Sequence, residues 1–449
     1  MKQSVTLRSQ IGMPQAIALY IGAVLGSGIL IVPGLAAEMA GPASLLAWGL
    51  MTLLILPMAL SMGFLSAKYP NAGGVSHFVT LAFGERAGSL TGWFFLMSVP
   101  IGAPVAALTG AGYMTAAMGW GEPARIGLAA LMLAVGLGMN IVGMSLAGKV
   151  QIAVVVAIIA VLVCAFGTAL PHMERAAFTP FVPHGWLNVG RSAAILFWCF
   201  IGWEAVSHLS EEFKDPQRAA IKGITIAAVI VGTLYFLSAL ATVGTGSYLD
   251  GAASAALVRM ISGPLGRWGG LTAGLTGMFI CTATIIAYAG AASRVAYAMA
   301  RQGSAPAWMG RMSRRFHTPI GALLFLLLCF IAVMSLYGSG LLSLTTLITF
   351  PNATFILTYI GGCAAGVRLL KGSRFGSAVS WISLIATVAV FPFTGMAIGY
   401  PLVICLVYGL FVLWRSRANR ESASGEQAVP GSSGDGTAGS SRRRARVKG

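Results

Sequence analysis

Two short stretches hold the residues whose types and spacing suit binding chemistry. One is Gly26-Ser27-Gly28, inside the apolar run IGAVLGSGILIVPG at residues 21–34. The other is Phe197-Trp198-Cys199-Phe200-Ile201-Gly202-Trp203-Glu204. Gly26, Gly28 and Gly202 let the backbone leave a helix within an apolar run. A half-helix that then restarts near Ser27, Gly28 and Ile29 presents free N–H groups at the positive end of its dipole. That is a seat for a carboxylate. Carbonyls freed near Ala23, and from Phe197 to Phe200, accept from an ammonium. Such a pair of breaks holds both ends of a small zwitterion without a buried Arg or Asp.

Glu204 is the clearest carboxylate within an apolar run, and a carboxylate there is costly and functional by default. Desolvation favours its neutral form. It is the candidate for carrying or sensing a proton; the other reading is a hydrogen-bonded acid that ties the two breaks together. Trp198 and Phe200, and less so Trp203, are placed to form an aromatic lid over the zwitterion. Asn140 and Asn352 also fall in apolar runs and are expected to bond neighbouring helices. His77 and His208 read as local hydrogen-bonding groups. No set of His, Cys and carboxylates has metal-ligand spacing. No phosphate-binding loop or nucleophile elbow occurs, so neither a metal, a cofactor nor enzymatic chemistry is expected.

The elements that must position these residues follow from composition. Of 449 residues, 57% are hydrophobic and 9% charged, against about 25% charged in a soluble domain. Such a chain requires the lipid bilayer as solvent. Twelve apolar runs are long enough to cross it: 12–38, 43–66, 88–117, 124–143, 149–170, 189–211, 220–245, 269–299, 319–337, 341–367, 376–394 and 397–414. Each should be a helix, because every backbone polar group needs a partner within its own segment. The six cysteines all lie in these runs without paired spacing and read as inert thiols.

The net charge of +17 does not point to nucleic acid, because the cations are spread between apolar runs. Counted along twelve alternating spans, Arg125, Arg175, Arg191, Arg259 and Arg267 fall on one side, and the other 24 of the 29 Lys and Arg fall opposite. Positive charge marks the inner side, which puts both termini in the cytoplasm. Residues 1–11 are then a cytoplasmic N-terminus. The Ser-, Gly- and Arg-rich stretch 415–449 is expected to be a disordered basic cytoplasmic tail.

The two breaks fall in the first and sixth runs. That separation suits two inverted repeats of five helices, over 12–170 and 189–367, followed by two more helices over 376–414. Matching interruptions in two halves are the best sequence pointer to a site at the membrane midplane.

Three segments together resemble the amino acid–polyamine–organocation (APC) superfamily: GSGILIVPG, KYPNAGGVSHFVTLAFG and FWCFIGWEAVSHLSEEFKDPQRA. The likeness extends over roughly residues 10–415. Within the superfamily, AGGVSHF with FWCFIGWEAVSHL is more similar to the bacterial L-methionine and branched-chain amino acid exporters than to the arginine/agmatine antiporters. The resemblance implies an all-α integral membrane protein of the leucine-transporter type, with broken first and sixth helices. It also implies substrate held by the backbone at Ser27, Gly28 and Ile29 and an aromatic gate at Trp198 or Phe200. In one respect the chain departs from it. Some members carry a lysine in the middle of the fifth helix, where Ala157 and Ile158 stand here. Glu204 is therefore the leading protonatable group. A cationic or acidic substrate side chain would want a buried counter-charge, so a small neutral amino acid such as methionine, leucine, isoleucine or valine is expected. The expected role is a secondary active exporter coupled to proton antiport in the inner membrane. An importer or an exchanger of the same fold is the alternative. A second copy of the chain, as a homodimer, is a further expected partner.

Overall fold

A computed structural model describes residues 12–426 apart from 72, 143–148, 204–214 and 216–217; the side chains of some helical residues, including Ala23, also fall outside it. Among the described residues there are helices and turns and no strand. The principal helices are α1 (Met13–Val24), α2 (Gly28–Ala40), α3 (Ser44–Lys68), α4 (Gly74–Phe83), α5 (Glu85–Met118), α6 (Glu122–Val142) and α7 (Lys149–Ala169). They continue as α8 (Trp186–Leu196), α9 (Ile224–Gly244), α10 (Ala256–Arg301), α11 (Ile320–Gly338), α12 (Leu344–Leu369), α13 (Arg374–Val390) and α14 (Gly399–Glu426).

Among the described residues, nine helical stretches are long and apolar enough to cross a membrane. Two of them, Gly28–Lys68 and Arg374–Trp414, run for 41 residues. Each contains a turn at a glycine with positive φ, Gly41 at 61° and Gly395 at 60°, so each holds two helices. Helix therefore lies within every one of the twelve expected runs. The Gly-rich stretch after the second run forms α4, an apolar helix of ten residues, too short to span. Its start is shaped by Asn71, whose Oδ1 accepts from the Gly73 N–H at 2.7 Å.

α5 is the central helix. Its membrane-length window is 94% buried, against 28% for Val155–His172 on α7. It packs against α10 and α12, and those three helices supply most of the wall described below. Two prolines, Pro100 and Pro104, sit within α5. A proline removes a helix hydrogen bond, which neighbouring helices and hydroxyls make tolerable in a bundle. Apart from the prolines, Ser98 and Thr109 bond back within their own turns of α5, to Phe94 O at 2.7 Å and Val105 O at 2.8 Å. Asn140 bonds a neighbouring helix as expected, donating to Ile286 O on α10 at 3.0 Å.

The end of the chain differs from its expectation. α14 stays helical to Glu426, twelve residues into the stretch 415–449 that was read as disordered. Arg, Ala and Glu recur from Arg415 to Glu426, and these residues propagate a helix after the apolar run has ended. Residues 427–449 lie outside the described residues.

Candidate substrate cavity at two helix breaks

The first break separates α1 from α2. Leu25, Gly26 and Ser27 leave the helix, with the Gly26 N–H turning back onto Val24 O at 2.8 Å and the Leu30 N–H onto Ser27 O at 3.2 Å. The Ser27 side chain does not cap α2. The N–H groups of Gly28 and Ile29, which open α2, have no partner within the helix, and they stand at its positive end.

Two buried tyrosines peg the chain on either side of this break. Tyr235 of α9 donates to Val24 O at 2.8 Å, and Tyr113 of α5 donates to Leu30 O. Both phenols are fully buried. One carbonyl at the end of α1 and one in the first turn of α2 are thus held by side chains from two other helices.

The second break follows α8. Phe197–Cys199 form a tight turn, Phe200 leaves helical geometry, and Gly202 has φ +125°, a region that favours glycine. The carbonyls of Ala194 and Ile195, at the end of α8, accept from Asn352 Nδ2 of α12 at 3.3 Å each. Asn352 is buried, and among the described residues its Oδ1 has no hydrogen-bond partner. It bonds a neighbouring helix, as the sequence suggested, and the helix it bonds is the broken one.

The two breaks meet at one narrow cavity of about 40 Å³, room for a few water molecules. It lies wholly within the compact unit that ends at Cys405. Gly26, Ser27, Gly28 and Trp198, four of the residues named from the sequence, line it. The packing between the breaks is tight. A Cβ added to Gly28 would lie 3.0 Å from both Cys199 Sγ and Trp198 Cδ1.

Of the other sequence candidates among the described residues, Ile29, Phe197, Phe200 and Gly202 are not among the lining residues. Ile29 and Phe197 are buried in the surrounding core, with Phe197 against the Tyr359 ring at 5.5 Å. Phe200 sits between Trp48 and Tyr235, at 6.1 and 5.4 Å. Gly202 is buried beside the cavity residue Ile201. Ala23 is the penultimate residue of α1. Of the two aromatic lid candidates, therefore, Trp198 borders the cavity and Phe200 belongs to the core. Glu204 and His208 lie outside the described residues.

Sequence reading missed the remaining walls. Val99, Gly102, Ala103 and Ala106 present one face of α5; Thr284, Ile285 and Tyr288 come from α10, and Phe355 from α12. The α5 residues fall at i, i+3, i+4 and i+7, a pattern visible in the sequence. Small residues at that spacing are usual wherever membrane helices pack, so the pattern alone could not mark a cavity. Trp198 is held in place from two sides. Its ring meets Phe355 edge-on at 6.3 Å, and a Cβ at Gly102 would lie 2.9 Å from its outer edge.

Among the described residues, no charged side chain lines the cavity. The polar side chains in the lining are Ser27, Ser98, Thr284 and Tyr288; Ser98 and Thr284 already donate to carbonyls of their own helices. Ser98 and Thr354 share a hydrogen bond of 2.6 Å at this wall. Among the described residues, no group of three His, Cys, Asp or Glu is arranged to hold a metal ion. The arrangement suits a compact dipolar ligand with an uncharged side chain: an anionic end at the start of α2, a cationic end among carbonyls, and an apolar body against α5 and the aromatic wall.

Comparison with known proteins gives a consistent family. The family profile described as "Amino acid permease" matches residues 11–423. The chain is 38% identical over 402 residues to the uncharacterized amino acid permease YecA of Bacillus subtilis, covering 89% of this chain and 94% of that protein. It is 33% identical over 376 residues to the L-methionine/branched-chain amino acid exporter YjeH of Escherichia coli, covering 82% and 87%. The branched-chain amino acid permease BcaP of Bacillus subtilis is 24% identical over 339 residues, or 71% and 73% of the two chains.

Proposed function

The chain belongs to the amino acid permease family of the APC superfamily, a family of multi-pass membrane transporters, and from that premise we propose that it exports neutral amino acids by proton antiport. The substrates proposed are methionine, leucine, isoleucine and valine. The membrane proposed is the bacterial inner membrane, with both termini cytoplasmic as the distribution of Lys and Arg favours.

The observation that carries this reading is the meeting of two helix breaks at a cavity where no charged side chain lies among the described lining residues. In the proposed pose, the substrate carboxylate accepts from the N–H groups of Gly28 and Ile29, with the Ser27 hydroxyl beside them. The ammonium donates to carbonyls freed at the breaks. The side chain lies between the small face of α5 and the rings of Trp198, Tyr288 and Phe355. Methionine gains from sulfur–aromatic contact there, worth about 0.3–1.5 kcal/mol. The name of YjeH, a relative similar over most of the chain, points to the same substrates.

Trp198 closes the cavity in this reading. Trp198→Ala should raise the KM for methionine about tenfold, because it opens one wall and removes most of the aromatic contact. Phe200→Ala should instead lower protein yield and stability, since its ring is packed in the core. Initial-rate transport and thermal unfolding of both variants separate the two roles.

The reading is tested by uptake and efflux of labelled methionine, leucine and arginine in proteoliposomes, with and without a pH gradient. Movement of methionine and leucine that responds to the gradient is expected, with arginine excluded. Transport of arginine alone would sink the substrate assignment. Direction follows the imposed gradients as well as the site, so both directions are measured. Glu204 is proposed as the proton carrier; Glu204→Gln should flatten the pH dependence of transport while leaving methionine binding measurable. An unchanged pH profile removes Glu204 from coupling.

A further inference from the structure

We infer that the connection between α10 and α11 is a built binding surface for the phosphate headgroups of anionic lipids. It runs from Arg301 to Ile320 and joins two membrane-length helices, so it lies at a membrane boundary. Arg301, Arg311, Arg314 and Arg315 are all exposed on it. The described residues contain two ion pairs, Arg125–Glu122 and Arg259–Asp250, and neither involves these four arginines. No Asp or Glu occurs anywhere between Asp250 and Glu421 in the sequence.

Charge alone would be a solvated loop. This connection is held in a fixed shape. Ser304 bonds the Ser89 hydroxyl at 2.9 Å and its carbonyl accepts from Trp93 Nε1 at 2.9 Å, both on α5. Thr318 donates to Ile141 O at the end of α6 at 2.9 Å. The Gly321 N–H donates to Arg311 O at 3.2 Å, and a Cβ on Gly321 would fall 2.1 Å from Trp308 O. The chain is thus folded back hard against the start of α11. Its arginines lose little conformational freedom of the backbone on meeting a ligand.

The apolar residues between the arginines decide the kind of ligand. Trp308 and Met312 are 37% and 42% exposed, beside Arg311, Arg314 and Arg315. Exposed tryptophan among cations is the composition of the lipid headgroup layer, where the ring sits at the interface and the guanidinium meets phosphate. Inorganic phosphate would have no use for the exposed Trp308 and Met312, whereas a lipid offers acyl chain to both. The same face continues beyond the loop. Lys68 donates to Leu369 O, and Arg368 lies over the Phe83 ring at 5.5 Å, which brings the ends of α3, α4 and α12 together.

The full-length protein, reconstituted in phosphatidylcholine with and without phosphatidylglycerol, tests this by lipid retention on purification and by thermal unfolding. The wild type should retain phosphatidylglycerol preferentially and unfold at higher temperature in its presence, less so at high salt. The variant R311Q/R314Q/R315Q should hold the anionic lipid roughly 100-fold more weakly, from about a fivefold loss per arginine. The triple Lys variant should keep most of the preference. All three side chains are exposed, so the fold should survive the substitutions. Equal retention of the two lipids by the wild type, or undiminished retention by the Gln variant, overturns the inference. So does loss of preference in the Lys variant equal to that in the Gln variant. Displacement of the lipid by inorganic phosphate or by an oligonucleotide at matched ionic strength also overturns it, since a soluble anion would then be the partner.

Discussion

Gly28→Val should abolish substrate binding and transport while the protein still inserts and folds. Gly28 is the first residue of α2 and lies against the turn that breaks the sixth helix. A single added carbon would stand 3.0 Å from Cys199 Sγ and Trp198 Cδ1 and 3.3 Å from Cys199 Cα. The side-chain atoms could give way, but Cys199 Cα is backbone and moves only with its turn. The two valine methyl groups add to that collision and drive the half-helices apart. Overpacking of this kind costs about 1–3 kcal/mol, and every 1.4 kcal/mol is tenfold in affinity. The displaced groups are the N–H donors proposed for the carboxylate, so binding should fall at least tenfold and transport further. Equilibrium binding of labelled methionine, beside monodispersity in detergent, checks both halves of the expectation. Binding at the wild-type level in Gly28→Val would place the substrate elsewhere.

Gly34→Ala should have the opposite signature, with a large loss of stability that does not depend on substrate. Gly34 is buried on α2, where the helix backbone runs against the backbone of Ala253. A Cβ there would fall 1.9 Å from Ala253 O and 2.8 Å from its carbonyl carbon. No rotamer change relieves that contact, because the obstacle is main chain. Either α2 or the turn at Ala253–Ala255 must move, at a cost of about 1–3 kcal/mol or more. Thermal unfolding should shift down by several degrees, and the yield of folded protein should drop. Excess methionine should restore little of it, because Gly34 does not line the cavity. An unfolding temperature equal to the wild type would show that the helix and the turn separate freely.

The two glycines make a wider point about this chain. Both sit in IGAVLGSGILIVPG, seven residues from its start and at its end, and nothing local tells them apart. One faces the second break and the other faces a loop more than 200 residues away in sequence. Their consequences differ because their neighbours differ.

The sequence by itself determined the class of molecule, because bilayer solvation imposes long apolar helices on composition alone. It also marked where the helices break, because Gly26-Ser27-Gly28 and Gly202 fall within otherwise apolar runs, and the φ of Gly202 is one that favours glycine. It named nine substrate residues, and four of them, Gly26, Ser27, Gly28 and Trp198, border one cavity. What it left open is which residue of a helical face looks inward. Trp198 and Phe200 are two residues apart and both aromatic, yet the tight turn at Phe197–Cys199 sends one to the cavity and the other between Trp48 and Tyr235. Thr284, Tyr288 and Phe355 carry no local sign of a site at all. They reach the cavity only because α10 and α12 pack against α5. Tyr113 and Tyr235 similarly gain their roles from the carbonyls they meet on a helix far along the chain. Local interruptions of a helix are written in local residues. The walls that enclose them are set by contacts between distant segments, and those contacts exist only once the bundle is assembled.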